Sequence, residues 1–285
     1  MTNAQLALLI IDKLSVIYEK SEARAIQRYL FTSLSSKSLV ELLVSSNEQA
    51  DAEFEEKVIS LLPSLLEHVP VQYVTGMAWF CDLKLEVTPD VLIPRPETEQ
   101  LVYLILEDLK NETELSILDI GTGSGAIAVS VAFNKKDAHV TAIDISDKAL
   151  DIARLNASKY NLEIDFMQIN ILEQDDYRVF NGKEFDVIIS NPPYVKKSEV
   201  MYMDKNVLNY EPHQALFVND DDPLIFYRKI LEFSRLHLVQ NGYLYLEINE
   251  VEGDNLKELI SSFDYNSCEV FNDFNDKARF IRARK

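Results

Sequence analysis

Ser116-Ile117-Leu118-Asp119-Ile120-Gly121-Thr122-Gly123-Ser124-Gly125 is the stretch on which the fold turns. Its first half is a short apolar run that reads as a buried strand. Its second half holds three of the seven glycines in the chain within five residues. A purely structural turn rarely needs more than one or two. The residues that follow, to about Phe133, carry a helical pattern. A glycine-rich passage from strand to helix lets a ligand approach the backbone closely. Outward from it, strands are expected at His139–Ile145, Ile164–Ile169, Phe185–Ser190 and Tyr243–Ile248. Helices are expected at Glu97–Lys110, Asp147–Tyr160 with Asp147 as cap, Pro223–Leu238 and Leu256–Phe263. Ser267–Phe274 and Arg279–Arg284 suggest a closing antiparallel pair, after Asn241-Gly242 as a turn. This alternation predicts an α/β, Rossmann-like sheet, mostly parallel and covered on both faces.

Ahead of that sheet the chain reads as helix alone. Leu6, Leu9, Ile10, Leu14 and Ile17 recur near a 3.6-residue period within Ala4–Glu19. A second helix is expected from Ser21 toward Leu30, then Ser38–Val44 and Glu48–Leu66, the last kinked at Pro63. Pro70–Gly76 and Trp79–Val87 favour short extended pieces with a hairpin. Three parts follow: a helical domain over residues 1–70, a linker over 71–90 and an α/β domain over 91–285.

Composition narrows the chemistry. The chain has 285 residues, 47% of them hydrophobic, enough for a substantial core. Lys and Arg number 28 against 47 Asp and Glu, a net charge of −19 that argues against broad contact with phosphate backbones. Cys81 and Cys268 lie far apart, and the four histidines form no close pair, so neither a disulfide framework nor a metal site is indicated. The apolar stretch Leu6–Ile11 has no basic residue before it and ends at Asp12. It fits neither a signal peptide nor a membrane span, and a cytoplasmic protein is expected.

The glycine loop, with Asp144 at the end of the next strand to accept from ribose hydroxyls, points to an adenosine-containing cofactor. Gly121-x-Gly123-x-x-Ala126 also satisfies the loose dinucleotide fingerprint. Two features favour S-adenosyl-L-methionine. Asp119 would repel a diphosphate but suits an amino-acid ammonium, with a structural carboxylate of the loop as the lesser alternative. The other is Asn191-Pro192-Pro193-Tyr194, directly after the strand Phe185–Ser190. Two prolines remove two backbone donors and fix φ near −65°. An Asn amide oxygen, free carbonyls and a ring face suit a planar –NH2 group held for methyl transfer.

These blocks together resemble the protein-(glutamine-N5) methyltransferases that modify bacterial peptide chain release factors. The resemblance runs through Pro70-Val71-Gln72-Tyr73 with Gly76, through Leu92–Glu99, through Leu118–Gly125, through Ser190–Tyr194 and through Glu211-Pro212 with Ala215-Leu216. It implies a class I methyltransferase sheet behind a small helical domain that docks the protein substrate. That substrate would be the Gln of the Gly-Gly-Gln loop of class 1 release factors. By motif match, Asp119, Gly121, Thr122, Gly123, Ser124, Gly125, Asp144, Ile171 and Asn191 would serve the cofactor, and Asn191, Pro192, Pro193 and Tyr194 the acceptor, with Asn191, Pro192 and Tyr194 catalytic. Asn249 and Glu252 stand where the family often has Gly and Gln, and Asp276 where it often has Gly. Asn170 and Ile171 are placed beside the adenine. Glu97 and Glu99 read as helix-start carboxylates or as site contacts, and Arg95 between prolines leans toward an interaction role. The rival is an adenine-N6 methyltransferase, since the same tetrapeptide suits a flipped adenine amine. The acidic balance and the lack of a basic stripe speak against it. No stable nucleic acid, no membrane and a monomer are expected.

Overall fold

In the computed structural model, which describes residues 1–35 and 37–285, the chain divides into two compact units. One comprises Met1–Met77 with Asp204–Tyr210, the other Ala78–Met203 with Glu211–Lys285.

The first unit opens with α1 (Asn3–Leu14), started by a capping box between Thr2 and Gln5. It buries Leu6, Ile10 and Leu14 at a spacing of four. The helix stops at Leu14, short of Glu19: after the Ser15 N–H bonds to the Ile11 carbonyl, the N–H groups of Val16 and Ile17 turn to the i−3 carbonyls of Lys13 and Leu14, and Val16 is exposed. α2 (Lys20–Leu34) follows, then α3 (Leu39–Val44), capped by Ser38 and Glu41, and α4 (Ala52–Leu66). Asp51 caps α4 by accepting from the N–H groups of Glu53 and Phe54, so this helix begins later than Glu48. Pro63 lies inside its last turn and the helix continues to Leu66. α5 (Val71–Thr75) corrects the sequence reading, which had this segment extended. Val71 and Val74 pack on the helical core, and Gly76, at φ 72°, closes the turn.

The second unit begins with β1 (Met77–Phe80) and β2 (Leu83–Glu86), a hairpin whose two turn residues, Cys81 and Asp82, have φ of 47° and 62°. α6 (Pro96–Asp108) leads into β3 (Ser116–Ile120), α7 (Ala126–Asn134), β4 (His139–Asp144), α8 (Asp147–Lys159), β5 (Ile164–Gln168) and β6 (Phe185–Ser190). Ser146, not Asp147, caps α8, its hydroxyl accepting from the Ala149 N–H. The short strands β7 (Val195–Lys196) and β8 (Phe217–Val218) pair with each other; between them α9 (Lys205–Tyr210) belongs to the helical unit. Last come α10 (Ile225–His237), β9 (Leu238–Glu247), α11 (Gly253–Ser261), β10 (Ser267–Asn272) and β11 (Ala278–Arg284). Asn241-Gly242 is not a turn before a strand but an excursion within β9. Phe185 pairs with Leu238 while Val187 pairs with Tyr243, and Asn241 has φ 67°.

The main sheet runs β10-β11-β9-β6-β3-β4-β5, with the five strands from β9 to β5 parallel and the two at the other edge antiparallel. Helices α6, α7 and α8 cover one face, α10 and α11 the other. The chain leaves β3 toward β4 and β5, then returns to lay β6 on the opposite side of β3. Such a reversal opens a crevice beyond the carboxyl ends of the strands. Ile120, Asp144 and Ser190 stand at those ends.

Candidate active site

Ser190 ends β6 fully buried, and its hydroxyl donates to the Ile120 carbonyl at 2.8 Å, tying the acceptor loop to the glycine loop. Beyond the tie lies a cavity of about 210 Å³. Gly121, Gly123, Asp144, Ile171 and Asn191 line it, as do Pro192 and Pro193. Thr122, Ser124, Gly125 and Asp119, which the sequence reading assigned to the cofactor, stand behind the wall. Thr122 and Ser124 are buried, and Gly125 faces α8, where an added Cβ would meet the Ala153 Cβ at 3.0 Å. Gly121 and Gly123, both at positive φ, have open space above them, so a ligand can lie directly on the backbone.

The loop is not an anion cradle. The N–H groups of Gly121 and Thr122 donate to the Ile143 carbonyl, that of Gly123 to Asp144 Oδ2 at 2.9 Å and that of Gly125 to the Thr122 carbonyl. A diphosphate would need those donors. Among the cavity's lining residues the charged ones are Asp90 and Asp144, with no Lys or Arg. The second Asp144 oxygen accepts from the Ser146 N–H at 2.9 Å, and each oxygen keeps acceptor capacity for a hydroxyl. Burial raises the Asp144 carboxyl above its ordinary value. Ile145, Ile169, Ile171 and Leu172 supply apolar walls beyond it. Asn170 makes an Asx turn, its side chain accepting from the Leu172 N–H. An acidic, donor-poor cleft with a carboxylate that keeps acceptor capacity and with apolar walls fits a cationic adenosyl ligand such as S-adenosylmethionine.

Asp119 is 1% exposed. One carboxylate oxygen accepts from the Thr122 hydroxyl at 2.7 Å and the Ala128 N–H at 3.2 Å; the other is buried without a partner. Burial pushes its carboxyl up to about 7. Asn156, fully buried on α8, buckles the loop to the hairpin. Its amide nitrogen donates to the carbonyls of Glu86 and Ser124, and its oxygen accepts from the Glu86 N–H.

A smaller cavity, about 50 Å³, shares Leu92, Asn191, Pro192 and Ala215 with the larger one. Asn191 and Pro192 are thus a common wall. Arg95, Tyr194 and Glu247 line the small side only. Two groups that the sequence reading passed over organise it. Thr98, at 5% exposure, donates its hydroxyl to Glu247 Oε2 at 2.7 Å and accepts from the Asn191 amide nitrogen at 3.2 Å. Glu247 Oε1 accepts from the Tyr194 hydroxyl at 3.1 Å. Burial raises both the Glu247 carboxyl and the Tyr194 phenol, the phenol further through the neighbouring Glu247 charge. Arg95 is held by the buried Glu211 at 2.6 Å, and the other Glu211 oxygen takes the Ile93 N–H, clasping the two segments that bear Leu92 and Ala215. Thr98 sits between two glutamates that drew attention as helix-start charges; a hydroxyl at the inward position of that turn was the available signal.

Comparison with known proteins agrees with this construction. Residues 99–216 match the methyltransferase small domain family and residues 10–76 the PrmC N-terminal domain family. The release factor glutamine methyltransferase of Flavobacterium psychrophilum is 40% identical over 276 residues, covering 96% of this chain and 95% of its own. That of Bacteroides thetaiotaomicron is 37% identical over 274 residues, covering 96% and 97%. Among solved structures, the Thermus thermophilus 16S rRNA N2 G1207 methyltransferase in complex with AdoMet and guanosine shares the fold. Its TM-score is 0.53 at 15% identity, over 73% of this chain and 49% of that one. With identity of this level along nearly its whole length, the chain belongs to the release factor glutamine methyltransferase family.

Proposed function

We propose that this enzyme transfers a methyl group from S-adenosyl-L-methionine to the side-chain amide nitrogen (N5) of the glutamine in the Gly-Gly-Gln motif of class 1 peptide chain release factors. The observation that carries the reading is the wall shared by the two cavities. Asn191 and Pro192 face the adenosyl cleft on one side and a carboxamide-sized pocket on the other. With the Asn191 nitrogen taken by Thr98, its oxygen is the end left to accept an N–H, and the Pro192 carbonyl is a second acceptor.

The cofactor, when bound, supplies an electrophilic methyl on a positively charged sulfur. The chain's own task is alignment. An amide nitrogen is a weak nucleophile because its lone pair is delocalised, so two fixed acceptors must turn it toward the methyl and favour its pyramidalisation. Positioning of this kind contributes about 7–11 kcal/mol in favourable systems. Acceptors aimed where positive charge develops add electrostatic stabilisation. Asp144 holds the ribose, Ile171 and its neighbours flank the adenine, and Gly121 and Gly123 let the amino-acid end lie against the backbone. Asp119, Thr122, Ser124 and Gly125 shape that loop from behind. Tyr194, tied to Glu247, is a fixed wall of the acceptor pocket rather than a free stacking ring. A pocket of about 50 Å³ favours a carboxamide over the fused rings of adenine. The helical unit docks the protein substrate, and the enzyme works as a cytoplasmic monomer without stable nucleic-acid contact. No described helix is long and apolar enough to cross a membrane.

The test is mass spectrometry of the Gly-Gly-Gln peptide of a release factor after incubation with enzyme and labelled cofactor, with DNA and RNA as parallel acceptors. Asn191→Ala is expected to fold and still bind cofactor but to lose at least about 99% of turnover, in line with the loss of one oriented acceptor. Label appearing in nucleic acid instead, or near-normal turnover by the variant, would refute the assignment.

A further inference from the structure

Asn191 can hold an acceptor N–H only if its carboxamide is turned the right way, and an amide can turn either end outward at little steric cost. The structure contains the device that decides. An ionised carboxylate accepts and cannot donate, while a threonine hydroxyl has one proton to give. Glu247 takes that proton at 2.7 Å, so the Thr98 oxygen is left as an acceptor. An acceptor at 3.2 Å from Asn191 calls for the –NH2 end, which leaves the oxygen for the shared wall. The other Glu247 oxygen holds Tyr194, three residues further along the same loop. One buried carboxylate therefore sets both ends of Asn191–Tyr194.

We propose that Glu247, acting through the Thr98 hydroxyl, is the positioning residue that fixes the orientation of the Asn191 carboxamide for methyl transfer. The inference rests on the role given to Asn191 above. It also makes turnover depend on the protonation of Glu247. A protonated Glu247 donates to Thr98, which then has its own proton free for the Asn191 oxygen, and the amide reverses. The groups that bias this equilibrium are Arg279 on β11, which favours the anion, and Glu97 on α6, which opposes it, with Tyr194 hydrogen-bonded to the carboxylate, Tyr227 on α10 donating its hydroxyl to the Glu247 carbonyl, and Arg95 beside the same pocket.

Steady-state kinetics with release factor, together with calorimetric titration of S-adenosylmethionine, test the relay. Thr98→Val is expected to lower kcat about 10- to 100-fold, the scale of removing an outer support of a catalytic group, with cofactor Kd unchanged within about twofold. Thr98→Ser keeps the hydroxyl and is expected to restore kcat. Glu247→Gln removes the group that titrates, so the acid limb of the wild-type kcat–pH profile is expected to disappear; an acid limb that persists overturns the dependence on Glu247. In an Asn191→Ala background Thr98→Val should cost nothing more, because the two act as one unit. Full kcat in Thr98→Val, or an equal further loss in the Asn191→Ala background, overturns the relay. If Asn191→Ala alone keeps its turnover, the role of Asn191 fails instead, so the two failures are distinct. Should Thr98→Val not fold, Glu247→Gln and its pH profile decide.

Discussion

Replacing Asp119 by Asn separates what this buried carboxylate does for the fold from what it does for the ligand. The side chain is 1% exposed, with one oxygen unpartnered, and burial raises its carboxyl from 3.8 to about 7. The native state therefore holds a proton, between those two values, that the unfolded chain releases. The sign follows: the contribution is fully present below about pH 4, is lost as pH rises toward 7, and is constant above. A difference of about 3 pH units at 1.36 kcal/mol each makes the ionised group unfavourable by about 4 kcal/mol at pH 8. Asn removes that charge. Its oxygen can accept from Thr122 and Ala128 as Asp119 does, and its nitrogen then falls where the orphaned oxygen was, a buried unsatisfied donor costing about 1–3 kcal/mol. At pH 8, Asp119→Asn should thus gain about 1–3 kcal/mol, about 2–12 °C in Tm for a unit of this size. At pH 4–5 the gain should vanish or reverse. Paired urea and thermal denaturation of both proteins between pH 4.5 and 8.5, without cofactor, measures it. A variant no more stable than the parent at pH 8, or a difference that does not shrink toward pH 5, would refute the reasoning.

Three other outcomes follow from single side chains. Asn156→Ala strands the Glu86 N–H and the carbonyls of Glu86 and Ser124, all paired with it at present. A loss of about 2–4 kcal/mol in urea denaturation is expected, from several buried groups left unpaired. Gly125→Ala meets two obstacles, φ of 79° and an Ala153 Cβ at 3.0 Å. The left-handed conformation alone costs about 1–2 kcal/mol, and Ala153→Gly in the same chain should recover only the share of the steric cost set by the Ala153 Cβ, since the Ala153 Cα at 3.2 Å and the Val129 Cγ2 at 3.3 Å remain, readable as a small return of Tm. Cys81, whose thiol burial pushes up to about 12, should resist alkylation in the native protein at pH 8 and react once denatured; mass spectrometry of an iodoacetamide time course follows it.

Much of the α/β unit could be read from the chain because buried parallel strands are nearly unbroken apolar runs. Ile117–Ile120, Val140–Ile143 and Val187–Ile189 are of this kind, and each ends where polar or glycine residues begin. Reading failed where tertiary packing overrode local composition. Val71–Thr75 is rich in β-branched residues, yet it is helical because Val71 and Val74 find the helical core. Asn241-Gly242 has the composition of a hairpin turn, but the strand continues through it. Asp276 illustrates a departure that costs little. It takes φ of 60° where the resemblance led to the expectation of glycine, a conformation Asp tolerates, and its carboxylate accepts from the Asn272 side chain. In the site, the residues on show in the motifs were legible, whereas Thr98 and Glu247, 149 positions apart, each had an ordinary local explanation. Their joint role exists only in three dimensions.

The acidic balance of the chain acquires a local meaning in the crevice. A ligand with a net positive charge does not call for a basic lining, and the cleft has no Lys or Arg in its lining; Asp90 and Asp144 line it and Asp119 lies behind it. Those carboxylates differ in what they can do. Asp144 faces the cavity and still has lone pairs for hydroxyls, so it acts by contact. Asp119 is sealed behind Gly121 and Thr122, so its charge acts through the loop as a field in a low-dielectric setting, where water screens little. The neighbouring Asp144 charge raises the Asp119 carboxyl further, which couples the two. A cationic ligand stabilises both anions at once, so binding should release the proton that Asp119 holds near neutrality. Cofactor binding and Asp119 ionisation are then expected to be linked, and calorimetric titration in two buffers of different protonation enthalpy registers the released proton.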